Sequence, residues 1–268
     1  MRELSRLIRL RHPIVQAPMA GGITTPELVA EVSRAGALGS IGAAYLAPQQ
    51  IEALCAAVRA RTTAPFAVNL FAPGAPEPSS PELAAGVAPV LDAFRAELGL
   101  PRGEDPPAAG GLFEAQLEAV LRCRPAVFSF TFGLLAREHL RALRASSIVV
   151  IGTATTVEEA ALLEEAGVDA ISAQGAEAGA HRGTFAGAFE DALVGTMALV
   201  PQVAARVRVP VLAAGGIMDG RGVAAALALG AAAAQLGTAF LGCPEAGVSP
   251  AYRAALRSDA AQRTVVTR

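Results

Sequence analysis

One histidine set among glycines is the sharpest chemical signal in this 268-residue chain: Gln174-Gly-Ala-Glu-Ala-Gly-Ala-His-Arg-Gly183. Neither helical nor strand periodicity runs through the segment, which follows directly on a strand-like run, Ala170–Gln174. A neutral imidazole accepts a proton at physiological pH, so His181 reads as a catalytic base. Glu177 and Arg182 read as solvated or ion-paired neighbours. His12 and His139 fall on flanks or helix surfaces and carry no chemistry in this reading.

Three further clusters supply ligand-binding types. In Gln16-Ala-Pro-Met-Ala-Gly-Gly22, the glycines let a backbone come close to a flat ligand. A plain strand-to-helix turn would explain Gly21 and Gly22 but not the Pro18-Met19 pair. Asn69 ends an otherwise apolar run; its amide must either satisfy backbone groups or meet a ligand, and both readings stay open here. The third is a pair, Ala213-Ala-Gly-Gly-Ile-Met-Asp-Gly220 and Gln235-Leu-Gly-Thr238, whose glycine amides and helix N-terminus would cradle a phosphate. Two ordinary tight turns are the alternative. Ser129 and Thr131 are pocket candidates with no base beside them in sequence.

What is missing narrows the chemistry. All 22 basic residues are Arg, so lysine Schiff-base catalysis and a Walker A loop are excluded. There is no GxSxG, HxxxH or CxxC; Cys55, Cys123 and Cys243 are scattered and read as small buried apolar residues. A net charge of −2 argues against nucleic-acid binding. The 53% hydrophobic content raises the question of a membrane span. The longest apolar stretch, Val223–Ala234, is Ala-rich, contains Gly230 and is too short to cross a bilayer. No apolar core follows the charged N-terminus, so a cytoplasmic protein without bound metal is expected.

These clusters need strands to carry them. Candidate strands are Ile14–Ala17, Leu38–Gly42, Phe66–Leu70, Ala126–Phe130, Ile148–Thr153, Ala170–Gln174, Val211–Ala214 and Ala233–Gly237. Continuous apolar runs of this length suit parallel strands buried on both faces. Between them lie Ala- and Leu-rich helical patterns. Thr25-Pro26 marks one helix start, and Thr156-Val-Glu-Glu159 reads as a capping box. Gly36, Gly167 and Gly230 mark helix ends. About eight such units predict a (β/α)8 TIM barrel, with a doubly wound open sheet as the competitor. Four of the clusters then fall at the C-terminal mouth of the strands. Residues 72–112, rich in proline, read as a lid insertion with a helix near Glu82–Leu98, between barrel segments 1–71 and 113–242. Residues 243–268 read as a C-terminal helical segment.

In this order, the clusters resemble the flavin-dependent nitronate monooxygenase family, formerly called 2-nitropropane dioxygenases. The likeness rests on QAPMAGG, Asn69-Leu-Phe71, QGAEAGAHRG, AAGGIMDGRG and QLGT, from Pro13 to about Thr238. It implies FMN at the barrel mouth, with Asn69 and Gly179 near the flavin and Gln174 at the ribityl–phosphate region. Ala17, Pro18 and Met19 would join them, and Gly215, Gly216, Gln235, Leu236, Gly237 and Thr238 would hold the phosphate. Gly22 and Thr131 would line the substrate pocket. His181 would deprotonate a nitro compound or orient a nitronate that oxygen then helps oxidise, without a nicotinamide, and activity would fall at acid pH. The family usually carries Gly-Gly before this histidine, where this chain has Gly179-Ala180, and some relatives have His in place of Thr131. Relatives also continue beyond the position of Arg268 with a segment that helps cover the flavin. Two rival functions follow from the same residues: a flavin-dependent enoyl-thioester reductase using NAD(P)H, and a flavin-free barrel binding a phosphorylated ligand. A homodimer is the assembly to be tested.

Overall fold

The computed structural model describes residues 4–73, 81–102 and 112–266. Along the chain run α1 (Leu4–Leu7), β1 (Ile14–Gln16), α2 (Pro26–Arg34), β2 (Gly39–Gly42), α3 (Pro48–Arg59) and β3 (Phe66–Phe71). Next come α4 (Pro81–Glu97), α5 (Leu112–Cys123), β4 (Val127–Thr131), α6 (Arg137–Ala145), β5 (Val149–Ala154), α7 (Val157–Ala166) and β6 (Ala170–Gln174). The chain then forms α8 (Thr196–Arg206), β7 (Val211–Ala214), α9 (Gly220–Ala228), β8 (Ala233–Leu236), α10 (Thr238–Leu241) and α11 (Pro250–Leu256).

All eight strands pair in parallel in the order β1-β8-β7-β6-β5-β4-β3-β2. The ring closes between β1 and the start of β2 through a Val15–Leu38 bridge, with Gln16 N–H donating to Leu38 O at 2.9 Å. Beyond that point a side chain takes over. The fully buried carboxamide of Gln16 accepts from Ser40 N–H at 2.9 Å and donates to Ser40 O at 3.2 Å, as a peptide group would. This closure makes the fold a (β/α)8 barrel and sets the open sheet aside.

Two apolar layers hold it together. Between strands and helices lies the larger core, built on Val68, Leu70, Phe128, Phe130, Ile171 and the helix residues that face them. Inside the ring, Val15, Leu38, Ala67, Val127, Ile151, Ala170, Leu212 and Ala233 fill the N-terminal end, with Leu4 and Ile8 closing it from below. Side chains alternate along a strand, so the next inward position is two residues on. There the chemistry changes: Asn69, Ser129, Thr153, Ser172 and Gln235 take the places above the apolar layer. A polar ligand site is thus built into the upper half of the barrel.

Local sequence explains the helix ends. Thr25 accepts from Leu28 N–H at 3.1 Å with Pro26 opening α2, as expected. Gly167 closes α7 at φ 99°, a left-handed conformation costly for a residue with a Cβ. The capping box at α7 is only half formed. Thr156 does accept from Glu159 N–H, but the Glu159 carboxylate turns to Thr155 and to the loop beyond His181. Four donors there outcompete one N-cap amide.

The insertion holds α4 close to the expected span, while residues 74–80 and 103–111 lie outside the described residues. Val87, Val90, Leu91, Phe94 and Leu98 are exposed. Among the described residues, no helix is long and apolar enough to cross a membrane.

Candidate active site

A cavity of about 470 Å³ opens at the C-terminal end of the strands. Its floor is the upper inward layer: Asn69, Ser129, Thr131, Thr153, Ser172, Gln174 and Gln235. Its rim is made by loops, with Ala17, Pro18 and Met19 after β1, Gly179 and His181 after β6, Gly215 and Gly216 after β7, and Gly237 and Thr238 after β8. The five sequence clusters therefore meet in one place. Gly22 and Leu236 do not line it. Leu236 is the outward neighbour of Gln235 and belongs to the core, and Gly22 sits in the turn whose carbonyl faces Gly247.

The His181 loop is held from below. Gln174 donates from Nε2 to His181 O at 3.0 Å and accepts from Gly183 N–H at Oε1, 2.8 Å. Arg182 turns inward and donates to the carbonyls of Gln174, Thr155 and Ala192. Glu159, fully buried, accepts from Phe185 N–H at 2.6 Å and Ala186 N–H at 3.0 Å. Arg182 and Glu159 are thus framework, and the histidine is what the framework presents. Ala180 before it has φ 63°, a conformation that costs an L-residue about 1–2 kcal/mol. Such strain persists where surroundings over-determine it, as at functional sites.

Aromatic rings fix the imidazole. Phe71 and Phe132 meet it edge-on, with centroids at 5.4 and 5.9 Å. Phe132 itself adopts φ 72°, again unusual for a bulky residue, immediately after β4. The Tyr45 hydroxyl lies 3.3 Å from His181 Nε2. Sequence reasoning missed Tyr45, Phe71, Phe132, Thr153 and Ser172 as site residues. The period-two alternation hidden in the apolar runs would have found Phe71, Thr153 and Ser172; nothing local marks Tyr45 or Phe132.

On the rim after β7, Gly215 and Gly216 have φ of 117° and 69°. A Cβ on Gly215 would come within 2.9 Å of Thr196 Oγ1 and 3.0 Å of Ala178 N, so both conformation and space demand glycine. Thr196, opening α8, shares its one hydroxyl proton between Glu177 at 2.8 Å and Gly215 O at 3.0 Å. Its N–H also donates to Glu177 at 2.8 Å. Burial opposes the Glu177 charge, yet the Thr196 hydrogen bonds and the nearby Arg182 hold its pKa below the ordinary carboxylate value. The α9 N-terminus is already occupied, since Asp219 accepts from Arg221 N–H and Gly222 N–H. Among the described residues no arginine lines the cavity wall, and Gly215, Gly216, Gly237 and Thr238 do.

Comparison with known proteins places this geometry. The family model described as nitronate monooxygenase matches residues 3–268. The chain belongs to the nitronate monooxygenase family. A nitronate monooxygenase of Pseudomonas aeruginosa is 47% identical over 99% of this chain and 76% of its own length. Among solved structures, a nitroalkane oxidase from Streptomyces ansochromogenes superimposes with a TM-score of 0.90 at 41% identity, over 99% of this chain and 75% of that one. FabK from Thermotoga maritima is more distant, with a TM-score of 0.73 at 31% identity over 96% of this chain and 67% of that one. Membership of the nitronate monooxygenase family makes the chain an oxidoreductase. It accords with the five-cluster resemblance.

Proposed function

We propose that this chain oxidises alkyl nitronates with molecular oxygen, using FMN and no nicotinamide. The observation that carries the reading is that His181 and the glycine backbone of the β7 and β8 loops line a single cavity. Ser172 supports a resident polar group, because the residue is 2% exposed, lines the cavity and has a buried hydroxyl with no partner among the described residues. The backbone of Gly215, Gly216, Gly237 and Thr238 would hold the phosphate, and Asn69 and Gln174 would meet the more polar part of the cofactor. Asn69, which lines the cavity, gives its Nδ2 to Ser129 Oγ at 2.9 Å. Bound there, FMN would supply the electron transfer that no side chain of this chain can provide.

The rest of the work falls to the protein. His181 takes the proton from the carbon next to a nitro group, leaving the electron pair on the nitro-stabilised carbon, or orients a nitronate already formed. Phe71 and Phe132 pack edge-on against the exposed ring and limit how it turns. Pro18, Met19 and the glycine rim let a flat ring system lie close to the backbone.

An absorption spectrum of the purified protein, followed by oxygen uptake with propionate 3-nitronate, tests the proposal. Flavin bands and uptake that collapses in His181→Ala are expected. A colourless protein that takes up no added FMN would overturn the flavin assignment, and full uptake by His181→Ala would overturn the base. Rapid anaerobic bleaching by NADH would instead favour an enoyl-thioester reductase.

A further inference from the structure

We propose that Tyr45 is a positioning residue for His181: its phenolic oxygen receives the Nε2 hydrogen bond of the protonated ring, reserving the other nitrogen for the substrate's proton. The inference deepens the base role assigned to His181 and rests on it.

The argument starts from what surrounds the imidazole. Phe71 and Phe132 present only carbon edges to it, at interplanar angles of 74° and 86°. Among the described residues, the Tyr45 hydroxyl at 3.3 Å is the ring's hydrogen-bond partner. A neutral imidazole needs one donor and one acceptor, but an imidazolium has two N–H donors. Once the ring has taken a proton, both nitrogens are donors, and the Tyr45 oxygen is the protein acceptor within reach of Nε2. A phenol can do this in both states, since its O–H rotates away from the ring toward water. Tyr45 is 59% exposed, which gives that O–H solvent to turn to.

The tyrosine is itself held. It follows β2, two residues beyond Ala43, whose N–H bonds to Asn69 O at 3.0 Å, and its ring meets Phe71 edge-on at 5.6 Å. Phe71 therefore touches both partners and sets the angle between them.

Other charges are accounted for. From its own loop, Glu177 is bound by Thr196 and Arg182 by backbone carbonyls. Tyr252 of α11 also lines the cavity. The strand ends carrying Phe71 and Phe132 contribute aromatic rings there and no charge. No carboxylate is hydrogen-bonded to the imidazole among the described residues, so the tautomer falls to a phenol.

Tyr45→Phe tests this without threatening the fold, because the residue is exposed and the ring is retained. Long-range nitrogen–proton NMR of the three histidine rings, with His181→Ala giving the assignment, reads the tautomer directly. The expected result is a change of His181 tautomer balance in Tyr45→Phe, while His12 and His139 stay as they were. In turnover, kcat falls about tenfold with little change in KM. An unchanged His181 spectrum, or an unchanged kcat in an enzyme that His181→Ala inactivates, would overturn the proposal. Full turnover by His181→Ala would overturn the base role instead, and the NMR result would still report on the Tyr45 contact.

Discussion

Gln174 clamps the backbone on both sides of Arg182, donating to His181 O and accepting from Gly183 N–H. The strand that ends at Gln174 thereby fixes the height of the imidazole above the cavity floor. Replacing Gln174 by Ala removes both bonds and orphans the buried Gly183 amide. At roughly 1 kcal/mol per lost bond, the loss is about 1–3 kcal/mol. A fall in Tm of about 2–8 °C is expected for a domain of this size. Displacing the ring costs more in activity, about 100-fold in kcat/KM. Thermal melts and steady-state rates check both. A variant with wild-type turnover would show that the clamp does not set the histidine.

Ala180→Gly acts on the same loop in the opposite sense. The left-handed conformation at φ 63° costs an alanine about 1–2 kcal/mol, and glycine's freer unfolded chain returns part of that. A net gain of about 0.5–1 kcal/mol is expected, seen as a higher Tm with activity retained. A lower Tm would mean that the alanine methyl makes contacts that outweigh its strain.

Glu159→Gln should be among the most damaging isosteric changes in the molecule. Its two oxygens accept from Thr155 N–H, Thr155 Oγ1, Phe185 N–H and Ala186 N–H, at 2.6 to 3.0 Å. A carboxamide offers one oxygen and sets an NH2 against donors. The expected cost is about 2–4 kcal/mol in denaturant melts, with the loop after His181 the first region to lose hydrogen-exchange protection. Equal protection throughout the chain would contradict the role given to this residue.

Glu177 gives a pH dependence with a defined sign. Its pKa is lowered in the fold, so its stabilising contribution is present above the unfolded carboxylate value of about 4.3 and is lost as pH falls through the lower folded value. Glu177→Gln should lower Tm at neutral pH, by a small amount because the group is partly exposed to solvent. The difference from wild type should shrink in acid. A constant difference across the range would show that charge is not what holds the α8 start to the glycine rim.

Much of this was legible in the sequence, and the reasons differ by element. The spans Ala170–Gln174 and Val211–Ala214 emerge as read, because buried parallel strands are written as continuous apolar runs with glycine at their ends. The cavity rim was legible for a similar reason: glycines with positive φ cannot be replaced freely, so they stand out in composition. Tyr45 and Phe132 were not legible. Each enters the site through a loop whose path is set by contacts between distant segments, and no spacing rule orders those. Glu159 was misread because a Thr-x-x-Glu pattern is satisfied locally on paper, while the fold brings stronger donors from 26 residues away.

Closing the ring with the carboxamide of Gln16 has a consequence for how the barrel can be altered. Elsewhere, neighbouring strands are stitched by main-chain atoms that every residue possesses, so most substitutions leave the stitching intact. At this seam two main-chain bonds join Leu38 to Ile14 and Gln16, and beyond them the thread belongs to a side chain that a single base change can remove. The upper part of the wall between the first two strands therefore rests on one replaceable side chain, beside the loop that begins with Ala17, Pro18 and Met19.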